Sequence, residues 1–137
     1  YSKICLGKKD ISTIKNGEGS LRIFEGFFDF LSFKNLEDNL QKKPSDYIIL
    51  NSVSMIPKIK NLIQNYQKVE LYFDNDNAGN RAVEMIKNAG DNIEDCRNLY
   101  SDFKDINDWL VNDVQQEEKL SSTLVQKVPK VYNKRRR

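Results

Sequence analysis

Two aspartates, Asp74 and Asp76, follow an apolar run in Val69-Glu70-Leu71-Tyr72-Phe73-Asp74-Asn75-Asp76-Asn77-Ala78-Gly79. In extended chain, residues two apart leave on the same face, so this spacing turns both carboxylates one way. Paired hard oxygen ligands suit Mg²⁺. Glu25 and Asp29 form a second pair, one helical turn apart on the same side. Aromatic and aliphatic neighbours surround them, and an acid there is costly unless it is paired or meets a cation. Asp105 and Asp108 lie in a third acidic stretch. The chain holds no His, which removes His triads and His general bases. Acid–base work falls to Asp, Glu, Lys, Tyr or metal-bound water. Each acid also has a plainer role. Asp is a common turn residue, Asp29 in a first helical turn favours the helix dipole, and Asp105 reads as an N-cap with Asp108 three residues on. For Asp29 the two readings balance; for Glu25 the functional one weighs more.

These residues need elements to hold them. Leu21 to Phe24, Tyr47 to Leu50 and Val69 to Phe73 read as buried strands, and Arg97 to Tyr100 as a fourth, with Cys96 as an alternative start. The first is followed by a helix through Phe27, Phe28, Phe30, Leu31 and Phe33. It is apolar nearly all round, so a well-buried helix is expected. Asn35 to Asp46 reads as a surface loop or short helix, and Ile56 to Tyr66 as an amphipathic helix. Ser52 and Ser54 read as caps rather than site residues. From Ala78 a helical stripe runs through Ala82, Met85, Ile86 and Ala89 and stops at Gly90. A helix from Asp105 and a polar helix from Gln115 to about Leu124 follow. Regular strand–helix alternation predicts a four-stranded parallel sheet with helices on both faces. Right-handed crossovers then gather the strand-end loops on one edge, with Glu25, Asp74, Asp76 and Asp105. Before this, residues 1–19 predict a small β addition, an edge hairpin from Ile4-Cys5-Leu6 and Ile11 to Ile14 with a turn at Asn16-Gly17-Glu18-Gly19.

The 137 residues suit one domain. The chain does not begin with Met, and we expect it to be a piece of a longer protein. The net charge of +2 is uneven. Residues 127–137 hold six basic side chains and no acid; the other 126 residues hold 16 basic and 20 acidic ones, a net of −4. An acidic body argues against broad phosphate-backbone binding. The basic end, with Lys134, Arg135, Arg136 and Arg137, could touch nucleic acid or simply be solvated. Two isolated cysteines, Cys5 and Cys96, give no zinc spacing and are expected as buried thiols in a reducing compartment. No apolar run reaches the length of a membrane span and no signal peptide opens the chain; we expect a cytoplasmic monomer without membrane contact.

Glu25-Gly26-Phe27-Phe28-Asp29, Asp74-Asn75-Asp76-Asn77-Ala78-Gly79 and Lys104-Asp105-Ile106-Asn107-Asp108 together resemble the Toprim domain, in particular that of bacterial, phage and mobile-element DNA primases. The resemblance covers roughly residues 20–112, leaving 1–19 as lead-in and 113–137 as helix and tail. It implies a compact α/β fold on a four-stranded parallel sheet. It further implies that Glu25, Asp74 and Asp76 hold divalent metal, two Mg²⁺ or Mn²⁺ ions, for nucleotidyl transfer in primer synthesis. Asp29 and Asp105 match auxiliary acids of the first and third motifs. The next acid expected falls on Asn107, a departure at the second metal. Nucleoside triphosphates, a single-stranded DNA template and a helicase are the implied partners.

Two metal ions about 4 Å apart can activate an attacking 3′-hydroxyl and neutralise the leaving phosphate. The zinc module and basic lobe of such primases are not in this stretch, so we expect it to bind metal and nucleotide phosphates without making primers. Alternatives remain. The same fold could cleave strands, as in topoisomerases or Toprim nucleases. The domain could instead be a non-catalytic module that recruits replication proteins. A receiver-like signalling domain would use an aspartate and Lys104, but leaves Glu25-Gly-x-x-Asp without a role.

Overall fold

The computed structural model describes residues 10–127. Five strands form one sheet: β1 (Ser12–Ile14), β2 (Ser20–Phe24), β3 (Asp46–Ile49), β4 (Lys68–Tyr72) and β5 (Ile93–Asp95). Their order is β1-β3-β2-β4-β5. β2 to β5 are parallel to one another and β1 is antiparallel on β3. The helices are α1 (Phe27–Leu36), α2 (Ile56–Ile63), α3 (Asn77–Lys87) and α4 (Ile106–Lys127). The mixed α/β class and the four parallel strands agree with the sequence reading.

Strand alternation builds two cores. Leu21, Ile23, Ile48, Val69, Leu71 and Phe73 meet Ile56, Ile59 and Ile63 of α2 and Ala82, Val83 and Ile86 of α3. On the other face Phe24, Tyr47, Ile49 and Tyr72 meet Phe30, Phe33 and Leu36 of α1 and Ile106 of α4. That second face also buries charge. Arg22 Nε donates to Glu70 Oε2 at 2.9 Å, both side chains about 5% exposed or less. The Tyr72 hydroxyl donates to the same carboxylate oxygen at 2.8 Å, and Lys42 and Lys68 reach its partner oxygen. With these donors around it, Glu70 is held down at about pKa 2, although burial pushes the other way.

Several expectations need correction. Residues 97–100 are a 3-10 turn, not a strand, and the fourth parallel strand is Ile93–Asp95. The Asp95 carboxylate accepts from both the backbone N–H and the guanidinium of Arg97, which bends the chain out of the sheet. β5 itself, Ile-Glu-Asp, is too short and too charged to read as a strand from its sequence. α1 is not buried all round: Phe30, Phe33 and Leu36 face in, while Phe27, Phe28 and Leu31 are exposed. Apolar residues on both sides hid which side packs.

β1 forms no hairpin with β2. It crosses to the edge and pairs with β3. The turn before β2, where Gly17 has φ +75°, is pinned by Asp46, whose Oδ1 accepts from the N–H groups of Asn16 and Glu18. Asp46 and Ser45 are thus buried rather than part of a surface loop. α2 is shorter than expected and follows a 3-10 turn at Val53–Met55, capped by Ser52. α4 is one helix of 22 residues where two were expected, since no Gly or Pro interrupts it. Cys96 is buried. Ile4-Cys5-Leu6 and the residues from 128 onward, with Lys134, Arg135, Arg136 and Arg137, lie outside the described residues. Among the described residues no helix is long and apolar enough to cross a membrane.

Candidate metal centre

β2 and β4 are neighbours, but the chain leaves them toward opposite faces. β2 feeds α1 on one side of the sheet and β4 feeds α3 on the other. The crevice between two such strand ends is where open α/β sheets bind ligands. Glu25 leaves β2 and Asp74 leaves β4 at this point. They are joined directly: Glu25 Oε2 accepts from the Asp74 backbone N–H at 3.1 Å.

Asp76 ends the β4 loop as the N-cap of α3, its Oδ1 accepting from Gly79 N–H at 2.7 Å. Gly79 lies inside the first turn of α3. A Cβ there would sit 2.0 Å from the Asp74 carbonyl oxygen, so only glycine lets the helix approach the loop so closely.

The third acid comes from the segment before α4. Asn75 Nδ2 donates to the carbonyls of Tyr100 and Phe103 at 2.9 and 2.8 Å, and its N–H donates to that of Lys104 at 2.7 Å. Asp105 then caps α4, accepting from Asp108 N–H at 2.8 Å. Asn107, where the resemblance expects an acid, docks onto α1. Its N–H points at Asp29 Oδ1 at 3.4 Å, and Ser32 Oγ donates to its Oδ1 at 3.0 Å.

Asp29, Asp74 and Asp105 each bring a carboxylate oxygen within 4.8 Å of the others'. Burial, then the negative charges of Glu25, Asp29, Asp105 and Asp76, pushes Asp74 from 3.8 up to about 7. Burial, then Asp105, pushes Asp29 up to about 6. Acids so arranged repel one another and favour either a proton or a cation between them. The donor set is all carboxylate, which suits a hard divalent ion, and Asp29, Asp74 and Asp105 are the residues that would hold it. A second cluster, Glu70, Glu94 and Cys96, is different in kind. There the lysines and Arg22 already neutralise Glu70.

The structure therefore brings Glu25, Asp29, Asp74 and Asp105 together. Glu25 and Asp76, both expected as ligands beside Asp74, lie outside the triplet, Asp76 as a helix cap, and Asp29 and Asp105, expected as auxiliaries, lie within it. Two contributors were not recognised from sequence. One is Asn75, whose side chain and backbone N–H reach three carbonyls of residues 100–104. The other is Arg97, which grips Asp95 with Nε and Nη2 and reaches Asn80 Oδ1 and the Asp74 carbonyl with Nη1, the last at 3.5 Å. Arg97 lines a shallow polar cleft of about 360 Å³ with Asn75, Asn80, Asp95, Asn98 and Ser101. The only sequence signal for Arg97 was its spacing two after Asp95.

The comparison with curated proteins gives no match. Among solved structures, the chain is similar to the primase fragment of the bacteriophage T7 primase-helicase protein. The identity is 22% and the TM-score 0.57, covering 82% of this chain and 48% of that one. It is also similar to a chain in the bacteriophage T7 lagging-strand DNA polymerase complex with primase domains of two gp4 subunits, an RNA/DNA hybrid and dTTP. There the identity is 21% and the TM-score 0.57, covering 84% of this chain and 60% of that one. At these identities the likeness is one of fold, and this chain spans about half of the T7 primase fragment. The Toprim-like family model matches residues 22–110, which include Glu25, Asp29, Asp74, Asp76 and Asp105. With most of its length matched and a doubly covered parallel sheet carrying acids at the strand ends, the chain belongs to the Toprim-like family.

Proposed function

We propose that this domain is the metal-binding catalytic core of a DNA primase-like protein, which joins nucleotides into primers during DNA replication. The observation that carries the reading is the convergence of Asp29, Asp74 and Asp105, with Glu25 bonded to the Asp74 backbone, at the switch point of the sheet. Asp74 and Asp29 are the ligands we assign to a Mg²⁺ or Mn²⁺ ion, with Asp105 completing the set. Glu25 acts as a ligand through water or as a proton acceptor. Asp76 fixes the start of α3 and lends its charge to the centre. A bound divalent ion would supply charge neutralisation at the phosphates of a nucleoside triphosphate. The protein's own part is to hold the carboxylates rigid and to bury them enough to raise their affinity for a cation. Two ions are part of the proposal, the second near Asp76.

Residues 20–112 form the catalytic unit in this reading, with residues 1–19 as a lead-in and 113–137 as a C-terminal segment that ends in basic residues. A single-stranded DNA template and a helicase are its proposed partners, and the cytoplasm its compartment. The T7 fold relatives are a primase-helicase fragment and a complex containing an RNA/DNA hybrid, which supports a replication role. The test is primer synthesis on single-stranded DNA by the full-length protein with Mg²⁺ or Mn²⁺. Wild type should extend primers and Asp74→Ala should not. Equal synthesis by both would overturn the proposal.

A further inference from the structure

We infer that Asn75 is a positioning residue of the metal centre: its amide clamps the segment before α4 over the carboxylate loop and so sets Asp105 against Asp74. The inference rests on the metal reading above.

Asp29 and Asp74 are placed by the ends of α1 and β4, elements rooted in the two cores. Asp105 caps α4, which Ile106 roots in the second core. On its other side it ends residues 101–105, which carry no regular helix or strand. Phe103 N–H donates to the Tyr100 carbonyl at 3.0 Å and Lys104 N–H to Asp108 Oδ2 at 3.4 Å, and two further sets of bonds tie that stretch to the end of β4 and its loop. The Tyr100 hydroxyl donates to the Phe73 carbonyl at 2.7 Å, fixing its start. Asn75 then takes three of its carbonyls, those of Tyr100, Phe103 and Lys104.

The residue type matters. Two side-chain N–H donors on a single-carbon stem reach two carbonyls at once, while the backbone N–H reaches the third. Aspartate would set a carboxylate against two carbonyl oxygens. Serine offers one donor and leucine none. Asn75 also sits between the two acids of its loop, so the bonds that fold the segment over are anchored within one residue of Asp74. Loss of the clamp would let Asp105 swing away while Ile106, buried against the second core, still holds α4 in place.

The test measures Mn²⁺ affinity from the electron paramagnetic resonance of free ion, and the number of ion-bound waters from Eu³⁺ luminescence lifetimes in H₂O and D₂O. The proteins are the 137-residue chain, Asn75→Ala, Asn75→Leu and Asp74→Ala. Outer residues that orient ligands typically contribute about 10-fold to affinity. Asn75→Ala and the near-isosteric Asn75→Leu should each bind Mn²⁺ about tenfold more weakly and gain bound water, as one carboxylate leaves. A purely structural role would lower the melting temperature yet leave the water count as in wild type, and that result overturns the inference. Should both variants fail to fold, Asn75→Ser keeps one donor and should show an intermediate loss; wild-type affinity there overturns it equally. If Asp74→Ala binds Mn²⁺ as wild type does, the metal reading itself fails. If Asp74→Ala loses binding while Asn75→Ala and Asn75→Leu keep it, only the clamp fails.

Discussion

The carboxylate of Glu25 accepts a hydrogen bond from the backbone N–H of Asp74, across two neighbouring strands that send their helices to opposite faces of the sheet. One acid thus sets the backbone that carries another. Glu25→Gln retains an acceptor and removes a charge, whereas Glu25→Ala removes both. We expect Glu25→Gln to keep its fold and weaken divalent-ion binding. Glu25→Ala should also lose about 1.5–3 kcal/mol of stability, the usual worth of a hydrogen bond to a charged group. Urea unfolding of the two variants with and without Mn²⁺ checks the separation.

Gly79→Ala tests the close approach of α3 to the loop. Its Cβ would lie 2.0 Å from the Asp74 carbonyl, a backbone atom that cannot rotate aside. The helix or the loop must move. We expect a loss of about 3 kcal/mol, the upper part of the overpacking range, and weaker metal binding with it. Calorimetric melting and Mn²⁺ titration read both effects.

Arg22 and Glu70 probe stability away from the metal centre. Their pair is buried on the α1 and α4 face, at the middle of β2 and β4. Arg22→Met leaves Glu70 with its lysines and Tyr72 but without its most buried charged partner. Breaking a buried pair costs about 3–5 kcal/mol, and the low end is expected here because Lys42 and Lys68 remain. Mn²⁺ affinity, measured where the variant is still folded, should stay at the wild-type value.

The raised acids give a pH signature. Asp74 at about 7 and Asp29 at about 6 hold protons more tightly folded than unfolded. Such groups stabilise below the unfolded carboxylate range, and that contribution is lost as pH climbs through their folded values. Metal-free protein should therefore melt higher at pH 5 than at pH 8. The difference should be about 2 kcal/mol once solvent screening is allowed for. Glu70, held at about 2, works in the opposite sense, but only below about pH 4.5. Melting curves in chelator at the two pH values, for wild type and Asp74→Asn, check this; the variant should show a smaller difference.

Legibility in the sequence followed how local each signal was. The long apolar strands around Ile23, Ile48 and Leu71 could be read because buried parallel strands are continuous apolar runs. The acidic ends of β2 and β4 could be read because their motifs are contiguous. β5 could not: its three residues owe their strand to pairing with Val69 and Leu71, not to composition. Nor could the orientation of α1, where Phe28 and Phe30 look alike in sequence and only the sheet decides which is buried. The helix cap at Asp76 is of the same kind. Asp76 itself is extended, as period-two spacing expects, but α3 begins directly after it and its Oδ1 accepts from the Gly79 N–H.

The central claim is that acids from separate loops demand a divalent ion between them, and thermal melting at pH 7.5 with increasing Mn²⁺ tests it most directly. Binding to the folded state alone raises stability by about 2.7 kcal/mol at a hundred times the dissociation constant. Wild type should climb in melting temperature by several degrees, and Asp74→Ala should not respond. A flat wild-type curve, or an equal rise in both proteins, would contradict the account.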